Sequence, residues 1–292
     1  MGRHMHYGAE FENFGDRWRE AMKEYTGGYN RRTTDDTAEK QFWNTYFEKK
    51  ANYSPDPYSL PIGEEIKKII GPYMPGSILE IGPGWGNYTF LLERMSSSMA
   101  CTDISEDVLQ FIARVAAEKK VNIKTIPVKW EEYNSGRYDV VFGYNCFYRM
   151  REIEGCLQKI NDTAEKLCVI GMTSGPEQEY FRELEKVMGL KIKYHRLDYI
   201  YLINVLYQLG IDCNVKIVPL ENDYVFEDFE AACRNVSSRI MTQDYDWKEM
   251  ETIVGKYIMK NEKGQYHYLH RYVGAVLYWK PVNKLEFQVN LQ

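Results

Sequence analysis

The apolar residues follow three different patterns along the 292-residue chain. Up to about residue 75 they recur every three or four positions, which is the spacing of one face of a helix. The first such face consists of Phe11, Phe14, Trp18 and Met22. A second helix, with Thr37 as its predicted N-cap, and a third at about 62–70 follow. We therefore predict a helical N-terminal cap over 8–75.

From residue 76 to about 172, short apolar runs alternate with helical runs. The predicted strands are 77–81, 99–103, 122–128, 138–142 and 166–172. The predicted helices between them are 87–95, 105–119 and 152–164. This alternation is typical of right-handed βαβ units, so we expect an α/β fold with a mostly parallel sheet and helices on both faces.

After residue 172 the pattern is less regular. The predicted elements are helices at 176–188, 196–209, 226–240 and 246–260, a strand at 213–219 and a β-rich run at 266–280. The two β segments would complete a seven-stranded sheet, and the helices at about 176–210 would form an insertion between its fifth and sixth strands. We assign 76–292 to one domain and set aside 1–7 as a tag remnant and disordered start.

The composition excludes several classes of protein. The chain is 44% hydrophobic and 27% charged, as is typical of globular proteins, and no apolar run approaches the roughly 18 residues of a membrane span. The net charge of -5 argues against nucleic acid as a partner. The six cysteines include no C-x-x-C pair, so we predict reduced thiols, no metal site and a cytoplasmic location without membrane contact.

The most informative motif joins the first strand of the sheet to its helix. Glu80 is followed by glycines at three alternate positions, Gly82, Gly84 and Gly86. Glycine permits a sharp turn and lets a ligand approach the backbone closely. In an open parallel sheet, ligands bind at the carboxyl ends of the strands, which is where this loop lies.

Two carboxylates indicate which ligand binds there. A dinucleotide site favours G-x-G-x-x-G, whereas this loop reads G-x-G-x-G, and Glu80 would repel a pyrophosphate. Asp103 ends the second strand, where a carboxylate can accept hydrogen bonds from vicinal ribose hydroxyls. An adenosine that carries a cationic amino acid in place of phosphates satisfies both carboxylates, and that ligand is S-adenosylmethionine.

With these residues the chain resembles the class I S-adenosylmethionine-dependent methyltransferases, which have a Rossmann-like sheet. The resemblance covers about 76–172 and rests on E-x-G-x-G-x-G at 80–86, Asp103-Ile104-Ser105, Lys129-Trp130-Glu131-Glu132 and Tyr138-Asp139-Val140-Val141-Phe142. It implies that the glycine loop, including Pro83, holds the methionine moiety. It also implies that Asp103 holds the ribose and that Ile104 packs on adenine.

The resemblance implies further roles after the third and fourth strands. Trp130 and Glu131 would flank adenine, while Asn145 and Tyr144 would face the methionine end and the acceptor. Three of these residues have a structural alternative. Trp130 could belong to the core, Glu131 could be a solvated charge, and Asn145 could cap the backbone of its loop.

We predict a small-molecule acceptor. After the fourth strand the chain reads Tyr144-Asn145-Cys146-Phe147-Tyr148, without the [DNS]-P-P-[YFW] motif of many methyltransferases that act on planar amines. Tyr53 and Tyr58, in a proline turn, could close on the methionine moiety or the acceptor, or could merely pack. The aromatic segment 194–210 would line the acceptor site or form a homodimer contact. His195 is the best candidate for a general base.

Three functions remain open. The first, which we favour, is in-line methyl transfer from S-adenosylmethionine to a small molecule, with S-adenosylhomocysteine as the other product. The second is transfer of the aminocarboxypropyl or aminopropyl arm of the same cofactor, which would leave methylthioadenosine. The third is a non-catalytic protein that binds S-adenosylmethionine.

Overall fold

The computed structural model describes residues 12–49 and 52–282. Phe11, the predicted start of the first apolar face, and residues 1–7, the predicted tag remnant, lie outside the described residues. The helices of the N-terminal region are α1 (Phe14–Met22), α2 (Arg31–Thr34), α3 (Asp36–Glu48) and α4 (Ser59–Ile70). The three helices predicted here are therefore present, together with the four-residue α2.

The N-cap of α3 differs from the prediction. The side chain of Asp35 accepts hydrogen bonds from the backbone N–H groups of Thr37 and Ala38. Asp35 is therefore the N-cap, and the prediction of Thr37 was wrong. A carboxylate placed just before the first turn satisfies the free N–H groups and also suits the positive end of the helix dipole.

The middle of the chain alternates strands and helices as predicted. Its strands are β1 (Ser77–Ile81), β2 (Ser98–Thr102), β3 (Ile123–Ile126), β4 (Tyr138–Tyr144) and β5 (Ala164–Ser174). Its helices are α5 (Thr89–Glu93), α6 (Glu106–Lys119) and α7 (Ile153–Thr163). The last four residues of β1 and of β2 are buried, as expected for strands covered on both faces.

The rest of the chain adds helices and three further strands. These elements are α8 (Glu179–Met188), α9 (Tyr199–Gln208), β6 (Asn214–Phe226), α10 (Phe229–Ser237), α11 (Trp247–Val254), β7 (Met259–Lys260) and β8 (Tyr266–Trp279). The strand order is β3-β2-β1-β4-β5-β8-β6, with β7 paired to β8. The prediction of an α/β fold with a mostly parallel sheet is confirmed. Within the described residues the sheet has eight strands rather than seven, because the chain after α11 pairs antiparallel with the start of β8.

The parallel strands bring distant residues to one edge of the sheet. β1 pairs in parallel with β2 and with β4, so Ile81 lies beside Thr102 on one side and Gly143 on the other. β2 pairs in parallel with β3. The residues that follow β1, β2, β3 and β4 therefore meet at the carboxyl edge, where ligands bind in such sheets.

The chain divides into two compact units. Within the described residues, the first unit contains 12–173, 197–218 and 274–282, and the second contains 174–196 and 219–273. The core of the first unit includes Trp18, Leu157, Leu202 and Trp279. The core of the second includes Phe181, Leu184, Val236 and Met250. The predicted insertion at 176–210 is thus shared between the units, and the division into cap and domain stays a prediction.

Among the described residues, no helix combines the length and the apolar character needed to cross a bilayer. All six cysteines carry free thiols.

Candidate functional site

The glycine loop runs from the end of β1 to the start of α5. Gly82 has φ +60° and Gly84 has φ +53°, in the left-handed region that favours glycine. A methyl group on Gly82 would lie 2.7 Å from the Cβ atom of Cys146. Both the backbone conformation and the packing therefore require glycine in this loop.

Glu80 lies inside the sheet at the base of this loop. Its side chain is 2% exposed. The hydroxyl of Thr89 donates a hydrogen bond of 2.6 Å to its Oε2 atom, and the thiol of Cys101 lies 3.6 Å from the same oxygen. Burial, together with the nearby charge of Asp103, raises the pKa of Glu80 to about 7, against the opposing effect of the hydrogen bonds from Thr89 and Cys101.

Asp103 directly follows β2 at the same edge. Its Oδ1 atom accepts a hydrogen bond of 2.8 Å from the backbone N–H of Ser105, and Ser105 is the N-cap of α6. Burial raises the pKa of Asp103 to about 7, with a further contribution from the negative charge of Glu39. The start of α6 thus fixes Asp103 in place without neutralising it.

The two carboxyl groups lack a cationic partner within the chain. Neither Glu80 nor Asp103 forms an ion pair with a Lys, Arg or His in residues 12–49 or 52–282. Ionised carboxylates buried without a cation are costly. A ligand that brings an ammonium group and hydroxyl donors would remove this cost. The donor set therefore fits S-adenosylmethionine, and the roles of Asp103 at the ribose and of Glu80 at the methionine end stay predictions.

The residues after β3 include an indole that is already bound within the protein. Trp130 is 3% exposed, and its Nε1 atom donates to the carbonyl of Cys156 at 3.1 Å. Its ring stacks on Tyr133. This geometry agrees with the core role that the sequence allowed for Trp130. Glu131 is half-buried, and its contact with adenine stays a prediction.

The residues after β4 connect that strand to β5. Asn145 has φ +55°, and its Oδ1 atom accepts a hydrogen bond of 2.8 Å from the backbone N–H of Thr173. Tyr144 is buried, and its ring fills the space beside Gly171 and Gly274. Asn145 thus caps a neighbouring strand, while Tyr144 lies within the sheet packing. Ile104 is half-buried next to Asp103.

The proline turn lies against the glycine loop. The hydroxyl of Tyr53 donates to the carbonyl of Gly86 at 2.8 Å. Asn87 accepts from the backbone N–H of Asp56 at 2.8 Å and donates to the hydroxyl of Tyr58 at 3.0 Å. Both predicted tyrosines thus hold the loop that binds the cofactor in our reading. Their contact with the methionine moiety or the acceptor stays a prediction.

The histidine candidate belongs to the second unit. His195 is exposed, and its backbone N–H donates to Glu177 at 3.2 Å. In the described part of the chain, no group of three or more His, Cys, Asp or Glu side chains is arranged to hold a metal ion.

Three side chains around this site were not predicted from the sequence. Trp43 lies on the glycine loop, Glu39 influences Asp103, and Arg149 forms an ion pair with Glu39. The aromatic face of α3 was visible in the sequence. Which part of the sheet that face would cover was not, because the contact joins residues about forty positions apart.

The comparisons with known proteins agree with this geometry. Residues 78–166 match the family model described as a methyltransferase domain. A structure of a candidate methyltransferase from Bacillus halodurans has a TM-score of 0.50 and 13% identity, covering 76% of this chain and 99% of that one. It shows the same fold.

Two further structures are similar at lower scores. Magnesium protoporphyrin IX methyltransferase of Synechocystis PCC 6803 has a TM-score of 0.49 and 12% identity, covering 83% of this chain and 99% of its own. The N-methyltransferase NodS of Bradyrhizobium japonicum has a TM-score of 0.46 and 10% identity, covering 84% of this chain and 98% of its own. Both contain S-adenosylhomocysteine. No curated protein sequence matches the chain significantly.

Proposed function

We propose that the chain, whose residues 78–166 match a methyltransferase-domain family model, is a class I S-adenosylmethionine-dependent methyltransferase that methylates a small-molecule acceptor. The observation that carries the proposal is the enclosure of the cofactor edge. Aromatic side chains of α3 lie on the glycine loop. An edge covered in this way suits a small acceptor better than a nucleic-acid duplex or a folded protein, which need an open surface.

The charge of the chain supports the same acceptor class. A net charge of -5 does not favour attraction of a polyanion. The six free thiols agree with a reducing, cytoplasmic environment. A homodimer contact by the segment 194–210 stays a prediction. Helix α9, which lies in this segment, packs on α1 and α7 within the first unit.

We assign the binding roles as follows. Asp103 accepts hydrogen bonds from the ribose hydroxyls, and its bond from Ser105 fixes its orientation. Glu80, held by Thr89, compensates the positive charge of the amino acid end. The backbone at Gly82 and Gly84 makes the close approach. The bound cofactor supplies a methyl group on a positively charged sulfur.

The chain's contribution to catalysis is chiefly positional. Methyl transfer from a sulfonium needs the acceptor atom in line with the carbon–sulfur bond, and holding the two reactants in that geometry can account for most of the acceleration. Tyr144, the last residue of β4, and Asn145, which follows it, fix the backbone on the acceptor side of the site. His195 stays a candidate base without a contact that supports it.

Product analysis tests the proposal. The full-length protein is incubated with S-adenosylmethionine and, separately, with pooled small amines, phenols, carboxylic acids and thiols, with duplex DNA, with RNA and with protein. We expect S-adenosylhomocysteine to form only with small molecules. Turnover restricted to nucleic acid or protein would contradict the proposal, and methylthioadenosine as product would favour transfer of the aminocarboxypropyl or aminopropyl arm.

A further inference from the structure

Helix α3 meets residues that follow two neighbouring strands. Near its start, Asp36 accepts a hydrogen bond of 2.9 Å from the ammonium of Lys129, which follows β3. One turn later, Glu39 lies close enough to Asp103, after β2, for its charge to raise the pKa of that carboxyl. The helix therefore runs along the carboxyl edge from β3 towards β2.

The same face of α3 continues to the end of β1. Trp43 lies one turn after Glu39, on the same side of the helix. A methyl group on Gly84 would lie 3.0 Å from the Cη2 atom and 3.4 Å from the Cζ2 atom of Trp43. One turn further, the ring of Phe47 stacks on Trp85 and on Phe111 of α6. Helix α3 thus covers the ends of β3, β2 and β1 in succession.

The position of Trp43 restricts access to the loop. Its Cη2 atom lies only 3.0 Å from the place that a methyl group on Gly84, the central glycine, would occupy, so the gap between the ring and the backbone is about one methyl group wide. Each side of the methionine chain, which we assign to this loop, needs about 3.5–4.0 Å between carbon atoms, so the chain cannot pass between the ring and the backbone. The close approach that glycine permits at Gly84 therefore requires the Trp43 ring to move outward.

A second carboxylate of α3, besides Asp36, helps to hold the helix in this position. Glu39 is 8% exposed. Its oxygens lie 2.6 Å from the Nε atom of Arg32 and 3.3 Å from the Nε atom of Arg149, and Oε1 also accepts from the indole of Trp43 at 3.0 Å. Arg149 belongs to a short 3₁₀ turn, Phe147–Arg149, after β4. Glu39 therefore connects the covering helix to the acceptor side of the sheet.

We propose that α3 is a movable roof of the cofactor site, in which Trp43 covers the cofactor and the Glu39–Arg149 ion pair is the latch. The roof lifts off Gly84 to admit the cofactor and closes over it afterwards. Opening costs the latch contacts, so the apparent association rate is reduced by the fraction of time that the roof is closed. Closing holds the cofactor in place and slows its release. This inference rests on the proposed function, since it concerns the same cofactor site.

The rates of S-adenosylhomocysteine binding test the roof. Stopped-flow tryptophan fluorescence gives the association and dissociation rates of the wild type and of Glu39→Gln. We expect both rates to rise in the variant, by about tenfold, because the half-buried Glu39–Arg149 ion pair is lost. Arg149→Lys should change both rates in the same direction. Glu64→Gln removes a carboxylate from an exposed ion pair with Lys67 on α4 and serves as the matched control, with unchanged rates.

A second measurement does not depend on the latch variants. Hydrogen–deuterium exchange of 36–48 should slow when S-adenosylhomocysteine is added to the wild type, because the closed roof packs on the cofactor. Trp43→Phe should remove most of the fluorescence change on binding while the protein still binds. Unchanged rates in Glu39→Gln, or exchange in α3 that does not respond to the ligand, would overturn the roof. A wild type that binds no S-adenosylhomocysteine at all would instead refute the cofactor site itself.

Discussion

Two carboxyl groups, the buried Glu80 and the half-buried Asp103, give the site its charge. Burial raises the pKa of each to about 7. In the unfolded chain they would titrate near the ordinary values of about 4. Between about pH 4 and pH 7 the folded protein therefore binds protons that the unfolded chain releases.

This difference predicts how stability depends on pH. Because the folded state holds the extra protons, the free energy of unfolding should fall as pH rises from about 4 to 7, by up to about 1.4 kcal/mol per pH unit for each group. Above pH 7 these two groups should contribute no further change. Urea unfolding of the ligand-free protein at several pH values measures this slope.

Glu80→Gln is the matched variant for this experiment. It keeps the shape of the side chain and removes the titrating group, so the slope between about pH 5 and pH 7 should become shallower. A slope that is the same in the wild type and in the variant would show that Glu80 does not titrate in the folded protein as its burial indicates.

The role of Asp103 is tested by a single substitution. Asp103→Asn should weaken S-adenosylhomocysteine binding by about 10- to 100-fold, because hydrogen bonds to an ionised acceptor contribute roughly 1.5–3 kcal/mol. Isothermal titration calorimetry at pH 8, where the wild-type carboxyl is ionised, gives the affinity. Glu106→Gln, an exposed carboxylate in the first turn of the same helix, is the control and should bind like the wild type. Equal affinities of both variants would contradict the ribose assignment.

At the level of elements, the glycine loop depends on the turn that precedes the sheet. Asn87 is bonded to Asp56 and to Tyr58, and the indole of Trp85 donates to the carbonyl of Ser54 at 2.6 Å. The loop conformation is therefore fixed from outside the β1–α5 connection. Preorganised loops lose less entropy when they bind a ligand.

We predict a measurable cost when this connection is broken. Asn87→Ala leaves the N–H of Asp56 without its acceptor and should lower the free energy of unfolding by about 1–3 kcal/mol, and it should also weaken S-adenosylhomocysteine binding. Asn87→Asp keeps the acceptor but sets a second carboxylate beside that of Asp56, so at neutral pH we expect it to be destabilised as well. If Asn87→Ala unfolds at the same urea concentration as the wild type, the turn does not support the loop.

The regular elements of the sheet could be read from the sequence, and their contacts with the cap could not. β1 was predicted over 77–81 and is found there, because a short apolar run before glycine has few alternatives. β6 was predicted to end at 219 but continues to Phe226. It lies at the end of the strand order, where polar residues can remain in water, so hydrophobic periodicity does not mark them.

Part of the cofactor site could likewise be predicted from the sequence. Asp103 directly follows β2, and β2 is parallel to β1. The strand–helix alternation in the sequence predicts this arrangement, so the place of Asp103 beside the glycine loop could be predicted. The positions of Glu39 and Trp43 depend instead on how α3 packs over the loop, and an amphipathic pattern shows only that a helix has an apolar face. Trp130 illustrates the opposite case, since the sequence allowed either a core or a ligand role and the packing supports the core.

For the molecule as a whole, ligand binding should appear as thermal stabilisation. At a hundredfold excess of S-adenosylhomocysteine over its dissociation constant, binding adds about 2.7 kcal/mol, which for a chain of this size should raise the melting temperature by roughly 5 °C. Differential scanning fluorimetry measures the shift. NADH at the same concentration should give none, and a shift with NADH alone would contradict the choice of cofactor.

The bonds between the proline turn and the glycine loop bear on how far the chain could be shortened. A fragment beginning at residue 76 would retain the matched segment 78–166 and lose Tyr53, Ser54 and Asp56, the partners of Gly86, Trp85 and Asn87. It would also lose the rings of Tyr46, Phe47 and Tyr53, which pack on Trp85. Such a fragment would expose apolar surface that promotes aggregation, and its glycine loop would lose its supporting hydrogen bonds. The smallest fragment that folds and binds on its own therefore begins well before residue 76.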